Sequence, residues 1–276
     1  MILSEDFESI VSEAAGRKLV LLTNDDGIEA KGLSALYCAL AGDKNYDVRI
    51  VAPDKEKSAV GHGITVFDPI SVRKEYIEGV FCGYSVDGTP ADCVKLAITA
   101  LFEKKPDILI SGINRGANIG ENIIYSGTVS AATEGTIYEI PSMAVSMDSF
   151  KDIDYNYAAK FSKLVADTIL GCGKLPLGMF LNVNVPAMDE EKIKGIKITH
   201  QSKVKFKDIF IRRVDPRGRE YYWMDGEYEA IPDDPESDFT ALRNNYVSVT
   251  PIHHDMTDYN SIRYLKEIFS NEAYGK

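Results

Sequence analysis

Basic residues are in short supply in this chain: 31 Lys and Arg stand against 42 Asp and Glu, a formal net charge of −11. A nucleic-acid polymer is therefore not the expected partner, because proteins that bind one usually carry a basic surface. A small phosphate ester is not excluded, since a cation and backbone N–H groups can neutralise an anion locally. Long apolar runs are absent too, and nothing approaches the roughly 20 consecutive apolar residues of a membrane-spanning helix, so no membrane association is expected. Histidine is scarce. His62, His200, His253 and His254 are the full set, and adjacent His253-His254 lack the i, i+4 spacing of a helical zinc pair. Cys38, Cys82, Cys93 and Cys172 form no C-x-x-C pair, which suits free thiols in a reducing compartment and points to the cytoplasm. The start, Met1 to Gly16, places Glu5, Asp6, Glu8 and Glu13 before any cluster of positive charge, unlike a secretory signal. A short acidic extension over residues 1–17, frayed or lightly helical, is expected instead. No G-x-G-x-x-G follows the first apolar run, which disfavours a nicotinamide oxidoreductase.

The 276 residues suffice for one large domain or a core with an appended unit, and 45% hydrophobic with 26% charged residues is ordinary for a globular protein. Up to Pro186, apolar runs alternate with helical patterns. Lys18 to Asn24, Asp47 to Pro53, Pro106 to Ser111, Pro141 to Ser146 and Met179 to Val185 read as strands. Between them, Gly32 to Ala41, Ala91 to Lys104, Val129 to Tyr138 and Tyr155 to Leu170 read as helices. This predicts an α/β fold: a Rossmann-like, mostly parallel sheet with helices on both faces, over residues 18–190. Later, Ile196 to His200, Phe206 to Val214, Tyr221 to Tyr228 and Tyr246 to Pro251 read as short strands, with turns at Pro216-Arg217-Gly218 and Asp225-Gly226. An acidic loop, Asp233 to Asp238, lies between the last two, and Tyr259 to Phe269 has the spacing of a closing, docked helix. Residues 191–276 thus read as a hairpin-rich C-terminal arm and helix, packing on the core or exchanging with another subunit.

Asp25-Asp26 ends the first strand. Adjacent carboxylates repel, and burying them unpaired is costly. A hard divalent cation removes that cost, whereas a solvated Asn-Asp-Asp-Gly turn is the plainer alternative. Ligands of parallel α/β sheets bind beyond the C-terminal strand ends, and two further ends carry polar continuations. One runs from Ala52-Pro53-Asp54 to Ser58 and Gly61-His62-Gly63. The other runs from Ser111-Gly112-Ile113-Asn114-Arg115-Gly116 through Asn118, Gly120 and Asn122 to Tyr125-Ser126-Gly127-Thr128. This loop, rich in Gly and Asn, delivers Ser126-Gly127-Thr128 to the start of a helix, where free N–H groups and the dipole favour a phosphate. A simple N-cap by Ser126 or Thr128 is the alternative. Asp25, Asp26, a side-chain oxygen of the second loop and Asn114 would give all-oxygen ligation, suited to one Mg²⁺ or Mn²⁺.

Six ordered motifs carry a resemblance. They are Thr23-Asn24-Asp25-Asp26-Gly27, Val51-Ala52-Pro53-Asp54, Asp87-Gly88-Thr89-Pro90-Ala91-Asp92-Cys93-Val94, Ser111-Gly112-Ile113-Asn114-Arg115-Gly116, Tyr125-Ser126-Gly127-Thr128-Val129 and Val247-Ser248-Val249-Thr250-Pro251. In these, from about Leu19 to Thr257, the chain resembles the SurE (stationary-phase survival protein) family of metal-dependent 5′-nucleotidases. The resemblance implies hydrolysis of nucleoside 5′-monophosphates to nucleoside and phosphate, with 3′-nucleotides and polyphosphate as further candidate substrates. It places one divalent cation per subunit on Asp25, Asp26, Ser58 and Asn114, and implies a homodimer or homotetramer with an exchanged C-terminal arm. Two positions depart from the family pattern: Ala59 follows Ser58 where glycine is usual, and Asn245 precedes Tyr246 where glycine is usual.

Single residues keep two readings each. His62 is a general-acid or substrate-binding candidate, or a hydrogen-bonded loop residue. Arg115 meets a substrate phosphate or forms an exposed or structural salt bridge. Asp92, near a helix start, reads as structural. Asp25 and Asp26 are the catalytic candidates: water attack assisted by the cation or by one of them as base, with a covalent aspartyl-phosphate as the other route. Their adjacency favours joint coordination, since haloacid-dehalogenase phosphatases space their two aspartates at i and i+2. A non-enzymatic, Mg-binding receiver-like module is the competing function, but it needs an aspartate where this chain has Gly112-Ile113-Asn114.

Overall fold

A computed structural model describes residues 16–149, 151, 154–173, 175–229 and 234–269. The expected N-terminal extension lies almost wholly outside the described residues. The chain begins there with β1 (Lys18–Thr23), α1 (Lys31–Ala41) and β2 (Tyr46–Pro53), then a hairpin of β3 (Val72–Ile77) and β4 (Val80–Val86). Next come α2 (Pro90–Leu96), β5 (Ile108–Arg115), a 3-10 turn (Gly120–Tyr125), α3 (Gly127–Ile137), β6 (Ser142–Asp148), α4 (Asn156–Cys172) and β7 (Met179–Pro186). The remainder is β8 (Ile196–Ile198), β9 (Phe206–Val214), β10 (Glu220–Tyr228), α5 (Asp238–Arg243), β11 (Val247–His253) and α6 (Tyr259–Phe269).

Among the described residues nine strands form one sheet in the order β3-β4-β2-β1-β5-β6-β7-β11-β8, parallel from β4 to β7. The expected mostly parallel α/β sheet is what the chain forms. Alternation along β1 assigns the two faces. Val20 and Leu22 pack against Leu33, Leu36 and Leu40 of α1 and Phe161 and Ile169 of α4, while Leu21 packs against Cys93 and Val94 of α2 and Val129 and Ala132 of α3. Leu21 is fully buried, so Leu21→Ala is expected to destabilise the fold by about 2–5 kcal/mol in a denaturant titration.

Residues after Pro186 return to this sheet: β11 pairs antiparallel with β7, and β8 pairs parallel with β11. Among the described strands, the β9–β10 hairpin stands apart from this sheet as a two-stranded ribbon. Asp225-Gly226, expected as a turn, lies within β10, with Gly226 opposite Asp208. Glycine is needed there for close approach, because a Cβ would sit 2.4 Å from the Lys207 carbonyl. The expected acidic loop ends differently as well. Asp238 opens α5 fully buried, accepting backbone N–H bonds from Gly120 (3.1 Å), Ser202 (2.9 Å) and Phe239 (2.7 Å).

Other expectations shift at the ends. The helix expected to reach Lys104 stops at Leu96 and continues as a wider turn, Ala97–Leu101, closed by the Phe102 N–H on the Ala97 carbonyl at 3.0 Å. β5 runs on to Arg115, so Asn114 sits within a strand rather than beyond its end. The closing helix α6 forms, but none of its residues is buried, so it is not docked on the described chain. No helix among the described residues is long and apolar enough to cross a membrane.

Candidate active site

The turn after β1 is closed by Asn24, which is fully buried and whose Nδ2 donates to the Gly27 carbonyl at 2.8 Å. Gly27 takes φ +99°, and a Cβ there would press on the Lys55 backbone at 3.0 Å, so the turn requires glycine. The Lys57 N–H donates to the Asp25 carbonyl at 2.7 Å, stapling the second loop to the first.

Asp25 is buried against the start of α3. The Thr128 hydroxyl donates to Asp25 Oδ1, and a Cβ on Gly127 would lie 2.8 Å from Asp25 Cβ and 3.0 Å from Oδ2. Glycine at 127 thus lets the helix N-terminus approach the carboxylate directly. Burial pushes the Asp25 carboxyl up to about 6; the Thr128 hydroxyl lowers it, and the charge of Asp26 raises it further. Asp26 accepts the Arg115 backbone N–H at 3.1 Å and is also raised by burial, against the lowering influence of that N–H and of the Arg115 charge. The first and third loops therefore meet at the acid pair.

The remaining predicted residues take up varied positions. Ser58 is exposed, and its hydroxyl donates to Glu56 at 2.7 Å. Ala59 takes φ +56° and Asn245 φ +65°, left-handed backbone at both positions where the family pattern has glycine. Asn114 is half-buried, and its Nδ2 donates to the Gly116 carbonyl at 2.7 Å. The Arg115 guanidinium faces Glu56 at 4.0 Å. Ser126 is the N-cap of α3, accepting the Val129 N–H at 3.1 Å, so its side chain is committed to the helix. Asp92, read as structural, forms a capping box with Thr89 and also binds the Thr65 N–H at 2.9 Å.

His62 pairs with Glu134 at 2.7 Å, about two turns down α3 from Gly127. Glu134 is buried and also takes the Lys95 ammonium at 2.5 Å; burial works to raise its carboxyl, but the hydrogen bonds from His62 and Lys95 hold it below the usual range. Sequence reasoning missed Glu134, because a single Glu in a helix rich in Ala and Thr reads as a solvent-facing residue.

Two adjacent carboxylates, Asp25 buried and Asp26 half-buried, suit a cation on donor chemistry. Among the described residues no Lys or Arg forms an ion pair with Asp25 or Asp26, and the nearby guanidinium of Arg115 turns to Glu56 instead. Buried oxygens of Thr23, Asn24, Asp54 and Ser111 also find no hydrogen-bond partner among the described residues. No three His, Cys, Asp or Glu among the described residues converge as a metal centre; the expected ligand set takes half its members from Ser58 and Asn114. An oxygen-rich rim of this kind fits a hard divalent cation better than zinc.

The family described as Survival protein SurE matches residues 20–208. The chain belongs to the SurE family. Similar members include the 5′-nucleotidase SurE of Syntrophus aciditrophicus, 51% identical over 254 residues that cover 92% of this chain and 94% of that one. The 5′-nucleotidase SurE of Syntrophobacter fumaroxidans is 49% identical, over 88% of this chain and 96% of its own. Among solved structures, the SurE protein of Aquifex aeolicus is similar with a TM-score of 0.78 and 41% identity, covering 91% of this chain and 99% of that one. The matched SurE region contains all the predicted site residues, from Asp25 to Thr128.

Proposed function

We propose that this SurE protein is a divalent-metal-dependent 5′-nucleotidase that hydrolyses nucleoside 5′-monophosphates to nucleoside and inorganic phosphate. One observation carries the reading beyond the family likeness: Asp25 lies against the open start of α3 through Gly127 and Thr128. The helix N-terminus attracts a phosphate that the carboxylate beside it repels, and a cation held by the acid pair would remove that repulsion. Asp25, Asp26, Ser58 and Asn114 would hold that cation, Mg²⁺ or Mn²⁺. Bound there, it would neutralise the acid pair, stabilise charge on the phosphoryl group and make a water molecule more acidic. The Thr128 N–H, like its hydroxyl, is directed at Asp25, which leaves the Gly127 N–H at the helix start to donate to a phosphate oxygen. The Thr128 hydroxyl holds Asp25 Oδ1, leaving Oδ2 on the side of the phosphate. Arg115 and His62 flank the substrate from the third and second loops.

The proposed enzyme acts in the cytoplasm as a homodimer or homotetramer, with the C-terminal segment after residue 190 as its exchanged arm. The β9–β10 ribbon suits that role, because Phe210, Trp223 and Met224 are exposed on a hairpin separate from the main sheet. A receiver-like role gains no observation, since the strand that would need a phosphoacceptor aspartate offers Gly112, Ile113 and Asn114.

Phosphate release measured across nucleoside 5′- and 3′-monophosphates, di- and triphosphates and polyphosphate tests the reading. Turnover greatest on 5′-monophosphates is expected. Absence of phosphate release from every monophosphate would exclude it.

A further inference from the structure

The 3-10 turn that leads into α3 ends on two exposed apolar side chains, Ile124 (67% exposed) and Tyr125 (62%). Their backbone is held in place even though their side chains are bare. The Gly61 N–H donates to the Tyr125 carbonyl at 3.0 Å, and the Ile124 carbonyl would lie 3.4 Å from a Cβ on Gly61. On the pinning loop, Val60 and Ile64 are exposed as well. That loop is itself fixed, by His62 to Glu134 and by the Gly63 carbonyl to the Thr89 hydroxyl at 2.7 Å. The Tyr125 side chain makes no hydrogen bond or ring contact among the described residues. A rigidly mounted aromatic ring left open at the rim of a polar site marks a binding surface better than a loosely tethered one.

We infer that Tyr125, backed by Ile124, is the platform on which the base of the substrate stacks. This rests on the phosphate position proposed above and names the part of the substrate that lies beyond it. Tyr125 stands two residues before Gly127, at most about 7 Å along the chain, and a ribose bridges a comparable gap between phosphate and base. Every nucleobase presents a π face, so such a platform favours base-bearing esters over plain sugar phosphates without selecting one base. No charged group is required for this, in keeping with an acidic chain.

The test compares kcat/KM for AMP and UMP with that for ribose 5-phosphate in the unmodified protein, Tyr125→Ala and Tyr125→Phe. The nucleotide-to-sugar-phosphate ratio is expected to fall about tenfold or more in Tyr125→Ala, chiefly through KM, and to recover in Tyr125→Phe. Equal losses on both substrate types, an unchanged ratio, or no recovery with Phe would overturn the assignment. So would a change of oligomeric state with the ratio intact, which would mark the patch as a contact between copies. Adenosine, which carries no phosphate, supplies a readout independent of hydrolysis. Its saturation-transfer NMR signal is expected with the unmodified protein and lost in Tyr125→Ala; equal signals in both would overturn the platform. A protein that released no phosphate yet bound adenosine through Tyr125 would instead count against the nucleotidase reading alone.

Discussion

Asp25→Asn is expected to lower turnover of a nucleoside 5′-monophosphate by about two orders of magnitude or more, the scale seen when one preorganised electrostatic element is removed, while the protein stays folded. The substitution keeps the shape of a side chain buried against Gly127 and still leaves an oxygen to accept the Thr128 hydroxyl. What it removes is a buried negative charge beside a second one. In metal-free protein that removal relieves desolvation and repulsion, so Asp25→Asn is expected to unfold at an equal or higher denaturant concentration than the parent. Asn114→Ala should give a similar loss of rate from the opposite side of the site. Circular dichroism and a denaturant titration beside the kinetic assay separate the cases. Near-normal rates in both variants would show that the acid pair and Asn114 do not form the site.

Chelation should abolish phosphate release entirely, with Mg²⁺ or Mn²⁺ restoring it and Zn²⁺ doing so poorly, because the proposed donors are all oxygen. The same cation is expected to raise thermal stability, by about 2.7 kcal/mol at one hundred times its dissociation constant. That rise should vanish in Asp25→Asn. Full activity in chelator, or stabilisation that persists in the variant, would place the cation elsewhere or remove it from the reaction.

The parallel core was legible because its strands are continuous apolar runs and its helices keep a clean period, as in Val20, Leu21 and Leu22 against α1 and α3. The β3–β4 hairpin escaped notice for the opposite reason: β3 lies at the sheet edge and is mostly exposed, so no hydrophobic pattern betrays it. Its one signal is Glu78-Gly79, whose φ values of +50° and +82° make a two-residue hairpin turn. At the site, Asp25, Asp26 and the Ser126-Gly127-Thr128 run stood out as residue types at strand and helix ends. The hydroxyl bond that joins Thr128 to Asp25 crosses 103 positions, and nothing local announces it. Arg115 meets Asp26 through its backbone N–H, a contact that side-chain chemistry does not foretell. Glu134 and Asp238 were hidden for a shared reason. Each is a buried carboxylate satisfied by distant partners, and a lone acidic residue reads by default as solvated.

Asp238 has a consequence for the order in which the molecule is completed. Its carboxylate receives the N–H of Gly120, within the loop that leads to α3, and the N–H of Ser202, from the chain between β8 and β9. A chain growing from its N-terminus has made the acid pair, the second loop and the helix start long before residue 238 leaves the ribosome. Until then the Gly120 N–H lacks its acceptor, and the turn carrying Ile124 and Tyr125 is held at its Gly61 end alone. The rim of the candidate site is thus among the last regions of this protein to be finished, although nearly all of its residues are among the first to be synthesised.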